Sequence, residues 1–191
     1  MTEMTATTMT AKTTMTTMTT DAPAMSPLQE AALPFVAWSR VWSPLAPGAW
    51  REEAWQALSL PGQFADCESD FLSAFVVGLP APDVPLLLHA ALGRDGGTVR
   101  EDWMRVIQHL ELRWNEQALP PDHLGAACDV LVCAITREES VLIHELRKRY
   151  LEPWCAVASE RLAGKSNAIV RLPEAFAADL RAIELGDFPT R

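Results

Sequence analysis

The sequence predicts an all-α, single-domain helical bundle of about eight helices. Three observations lead there. Apolar residues recur at helical spacing in several stretches. No run alternates β-branched residues at strand spacing, and the turn-forming Arg94-Asp95-Gly96-Gly97 is flanked by helical patterns on both sides. Of 191 residues, 49% are hydrophobic, which suits one sizeable core rather than several.

The elements follow in order. Residues 1–26 read as a disordered tail, because eleven of the first twenty are threonine and five are methionine. Such a tract cannot bury enough surface to offset chain entropy. It holds one basic residue, Lys12, and no apolar core of signal-peptide length, so cytoplasmic residence is expected. Residues 27–191 then form the helical domain. Ser26-Pro27 opens a first helix, which Pro34 interrupts or restarts and whose apolar face includes Phe35, Trp38 and Trp42. A second helix, ended by Leu60-Pro61-Gly62, carries Trp50, Ala54, Ala57 and Leu58 on one side. The third covers about 63–78, with Phe64, Cys67, Phe71, Leu72 and Phe75 in register, and a short fourth covers about 83–92. Pro80, Pro82 and Pro85 with Asp83 between them argue against a membrane span over 71–93.

The fifth helix is capped by Thr98 with Glu101 three positions on, a capping-box pattern. Its stripe is Trp103, Val106, Ile107, Leu110 and Trp114. The sixth begins at Pro121 and turns Leu124, Cys128, Leu131 and Ile135 inward. A seventh spans about 138–151, and Pro153 bends or restarts it into 153–163. The last covers about 173–185, with Gly186 at its end.

Sixteen basic against 25 acidic residues leave a net charge of −9 and a pI of about 4.9. Nucleic acid and anionic membranes are poor partners for such a surface, whereas a basic or mostly apolar peptide suits it. The four cysteines form no CxxC pair and read as buried reduced thiols, with no structural metal site expected. No GxSxG, P-loop, GxGxxG or HExxH motif is present, and His89, His109, His123 and His144 fall on four different helices. A binding protein without a resident cofactor is expected rather than an enzyme.

Candidate contact residues follow from that. Trp103 and Trp114 sit on the stripe of the fifth helix, as core or as the aromatic wall of a groove. Trp154 follows Pro153 at a kink, where space opens between helices. After Pro120-Pro121, the Asp122 carboxylate can take orphan backbone N–H groups at the helix start. His123 beside it projects near the helix mouth, and the two offer an acceptor and a switchable donor at one surface point.

The stretch 107–135, IQHLELRWNEQALPPDHLGAACDVLVCAI, orders a helix, a short loop, the element PPDHLG at 120–125 and a small-apolar helix. It resembles the signature region of the TorD/DmsD/NarJ family of redox-enzyme maturation chaperones. ELRKRYLEPWCAVASERL at 145–162 resembles that family's later segment, and the likeness covers about 98–163. The resemblance implies an all-helical, cytoplasmic, non-catalytic protein. It would bind the immature catalytic subunit of a molybdenum oxidoreductase of the dimethyl sulfoxide reductase group while molybdopterin is inserted. Some members also recognise the partner's twin-arginine signal peptide. Asp122 and His123 would then belong to the contact region, with Pro121 in the same element. A Pro-x-Glu-Ser-type element common in the family is missing from GRDGGTVREDW at 93–103, and Ala127 stands where an acid often follows the Asp-His pair, although Asp129 is near. The competing reading is a helical interaction adaptor or regulator with no part in cofactor insertion.

Overall fold

Helix α6, Leu124–Thr136, is apolar on nearly every side and forms the centre of the structure. A helix without a polar face has to be surrounded. In the computed structural model, which describes residues 27–114, 119–165 and 168–183, its most extensive partner is α1, Pro27–Trp42. The two approach closely because α6 presents glycine: a Cβ on Gly125 would lie 3.2 Å from the Ser39 carbonyl oxygen of α1. Helix α1 runs unbroken through Pro34, where an interruption was expected. Proline removes one hydrogen bond, and burial of Ala32, Phe35, Trp38, Val41 and Trp42 along the same helix outweighs that loss.

Seven further helices complete the all-α fold among the described residues: α2 Gly48–Ala57, α3 Phe64–Phe75, α4 Leu88–Ala91, α5 Gly96–His109, α7 Ser140–Leu146, α8 Glu152–Leu162 and α9 Leu172–Ala182. No strand forms among these residues, and none of the helices is long and apolar enough to cross a membrane. An aromatic cluster joins them. Trp42 stacks on Trp38 at 5.3 Å and meets Trp154 of α8, Phe75 of α3 and Phe176 of α9 edge-on. Full burial of one such side chain contributes about 1.5–3 kcal/mol, and edge-to-face geometry adds to it.

Several elements depart from the expected boundaries. On α2 the buried face is Arg51, Ala54 and Trp55, and Trp50 is 57% exposed rather than inward. Arg51 wins that place because its Nε donates to the Ala46 carbonyl at 3.1 Å and its guanidinium covers the Phe64 ring. Trp55 donates to the Pro61 carbonyl at 3.2 Å. The cap of α5 is Asp95, not Thr98. Its carboxylate accepts from the Thr98 N–H at 2.8 Å, and Glu101 pairs with Arg105 instead. The fourth helix shrinks to four residues, because Leu87 just before it is extended and paired with His123. Between α7 and α8 the chain makes a π turn, Arg147–Leu151, in which the Glu152 N–H reaches the Arg147 carbonyl. Pro153 has no N–H to give the helix, and the wider turn just before it absorbs the misfit. The expectations for residues 1–26 and for Gly186 fall outside the described residues.

Candidate functional site

The element Pro120–Leu124 is a turn followed by a backbone bridge. The His123 N–H closes the turn on the Pro120 carbonyl at 2.9 Å. Leu88 N–H then donates to the Asp122 carbonyl at 2.9 Å, and Leu124 N–H to the Leu86 carbonyl at 2.8 Å. Leu87 and His123 thus face each other as an isolated antiparallel pair. This pairing delays the helix. Pro121 is a half-buried turn residue rather than the first residue of α6, which starts three positions later.

Asp122 does not cap the helix. Its side chain is wholly buried and points back toward α4 and α5. The His89 ring donates through Nδ1 to Oδ2, and Arg100 Nε donates to Oδ1 at 3.1 Å. Gly96 makes room for this arrangement, since a Cβ there would come within 3.0 Å of the His89 ring. Asp122 is therefore a tie between α4, α5 and the start of α6, not a surface contact as the sequence suggested. A buried carboxylate needs such partners, and both reach it from the protein's edge.

The cap is His123. Its Nδ1 accepts the Gly125 N–H at 3.1 Å, which leaves the ring proton on Nε2. Burial lowers its pKa to about 4 against the opposing pull of Asp122, so the ring is neutral. Only 6% of the residue is exposed, less than its expected place at the helix mouth implied. That exposed edge belongs to an open furrow of about 500 Å³, bounded also by Phe75, Val76, Pro82, Pro85, Leu86, Leu87 and Pro120. Apart from His123, its side chains are apolar. Beside it Val77 is 69% and Leu79 97% exposed.

The tryptophans divide. Trp103 has no exposed surface and packs against Tyr150 with ring centroids 5.5 Å apart, so it is core rather than a contact surface. Trp154 is equally buried: just past the π turn it packs in the aromatic cluster rather than lining a gap. Its Nε1 nonetheless donates to the Pro85 carbonyl at 3.1 Å and so holds the furrow's proline-rich wall from beneath. Arg161 assists by donating to the Asp83 carbonyl at 3.2 Å, and Lys165 pairs with the Asp83 carboxylate. Trp114 lies past the end of α5 rather than on its stripe. It is half-buried beside a second groove of about 440 Å³, together with Leu45, Leu112, Leu119, Val130 and Cys133.

Sequence reasoning missed His89 and Arg100, which complete the Asp122 tie, and the furrow wall at 75–87. The proline spacing was the one signal for that wall. The thiols are suppressed by burial: Cys155 is pushed up to about 12 and Cys67 to about 11. Among the described residues, no three His, Cys, Asp or Glu side chains gather as a metal-ligand set.

The chain matches no family model, no curated protein and no solved structure.

Proposed function

We propose that this protein is an assembly chaperone that grips the immature catalytic subunit of a molybdenum oxidoreductase and releases it after cofactor insertion. One observation carries the reading. The PPDH element, which bears the family resemblance, forms one wall of an open and almost wholly apolar furrow. Such a trough, with Val77 and Leu79 exposed nearby, suits an extended or helical apolar segment of an unfinished client. The buried Asp122 tie and the His123 cap hold the wall in place, so their part is to shape the trough rather than to touch the client through charge. Binding without turnover is the mechanism: the client's apolar segment is shielded until its own folding around the cofactor withdraws it.

The test is co-expression of an adjacently encoded molybdopterin subunit with and without this protein, followed by measurement of its molybdenum content. Higher loading with the chaperone present is expected, and equal loading overturns the proposal. Val77→Glu with Leu79→Glu places charge beside the furrow at exposed positions. That variant is expected to keep its helicity and lose client capture. Undiminished capture by it removes the furrow from the mechanism.

A further inference from the structure

A different face carries an independent inference. The groove between α1 and α2, about 600 Å³ and closed at one side by α9, has apolar walls that include Leu33, Val36 and Leu58. Leu33 is more than half exposed. Three carboxylates, Glu30, Glu53 and Asp179, stand along it. Arg40 reaches Glu53 at 3.7 Å and is the one cation lining the groove among the described residues. Asp179 accepts the Trp38 Nε1–H at 2.6 Å, and neither it nor Glu30 meets a cation among the described residues. Burial against the groove wall raises the Asp179 carboxyl above its ordinary value. Trp50, exposed on α2, lies with its ring 5.8 Å from the Arg40 guanidinium.

We infer that this groove is a docking surface for a partner segment presenting one lysine or arginine between apolar side chains. The chemistry selects that occupant. A purely apolar segment would strip water from Glu30 and Asp179 and return nothing. An acidic one would meet three like charges. A cation on an apolar stem covers Leu33 and Val36 with its methylenes and sets its charge between the carboxylates. Trp50 at the edge supplies the aromatic contact that such interfaces favour. No residue of this groove lines the furrow beside His123, so the inference stands or falls apart from the chaperone reading.

The test uses the full chain and a short acetylated probe peptide of leucine and alanine with one central lysine, titrated by fluorescence anisotropy. The lysine probe is expected to bind roughly tenfold or more tighter than its glutamate counterpart, with affinity falling as salt rises. Glu30→Lys with Glu53→Lys, both on solvated positions, is expected to reverse that preference. Trp50 emission is expected to shift on binding, and Trp50→Phe to abolish the shift. Equal affinity for the two probes, no binding of either, or a preference unchanged in the folded charge-reversal variant overturns the inference.

Discussion

His89 and Asp122, 33 positions apart in the chain, meet ring to carboxylate, and Arg100 completes the group from the opposite oxygen. Asp122 is sealed from solvent, while His89 and Arg100 keep contact with it. The cost of disrupting this tie therefore depends on which member is removed.

Asp122→Asn frees two groups that water can reach, and a loss of about 1.5–3 kcal/mol is expected, the range for a hydrogen bond to a charged group. Removing both partners with His89→Ala and Arg100→Ala strands a buried carboxylate, and about 3–5 kcal/mol is expected. Urea denaturation at neutral pH measures both. The reverse order would mean that the carboxylate is better hydrated than its burial indicates.

His123 makes stability depend on pH. Its folded pKa of about 4 lies below the unfolded value of about 6.5, so between those values the unfolded chain binds more protons. The contribution is complete above pH 6.5 and is lost as pH falls toward 4, by about 3 kcal/mol across the window. His123→Asn keeps a cap acceptor for the Gly125 N–H and removes the titration. Its stability profile between pH 6.5 and 4 is expected to be correspondingly flatter than that of the parent.

Gly125→Ala tests the close contact of α1 and α6. The added methyl meets the Ser39 carbonyl oxygen at 3.2 Å and the Ser43 backbone nitrogen at 3.4 Å, and neither can swing aside. A loss of about 1–3 kcal/mol is expected, read as a lower melting temperature. Gly48→Ala at the start of α2 meets nothing within 4 Å and is the control, expected to be neutral or stabilising by about 0.5 kcal/mol.

Trp154→Phe keeps most of the aromatic packing and deletes the N–H that holds the Pro85 carbonyl. An unpaired acceptor at this site is expected to cost about 1–3 kcal/mol. Limited proteolysis is expected to cut the segment 77–87 faster in the variant. If that segment stays protected, the indole is packing material and no support for the furrow.

Helical spacing made most of the core legible. The inward face of α6 carries the residues its periodicity indicated, that of α3 does so except that Ala74 rather than Leu72 is buried, and the helix after Pro153 begins where proline required. The misses share a cause: a neighbour outside the local window. Trp50 lost the inner face of α2 to Arg51, whose donors find carbonyls in the preceding loop. The start of α6 slipped from Pro121 to Leu124 because Asp122 and Leu124 pair with 86–88. The Asp-His pair looked like one surface device because adjacency in sequence says nothing of direction. One side chain turns to α4 and α5, the other folds onto its own helix. His89 and Arg100 carry no local mark of their role, since their partner is set by the tertiary fold alone.

The bridge between 86–88 and 122–124 bears on how wide a guest the furrow can admit. Two of its boundaries, the segment at Leu86–Leu87 and the turn at Pro120–His123, are fastened to each other by main-chain bonds. They cannot be pried apart without uncovering the carboxylate beneath. Any yielding to fit guests of different girth must come from the boundary at Val76, next to which Val77 and Leu79 already stand exposed.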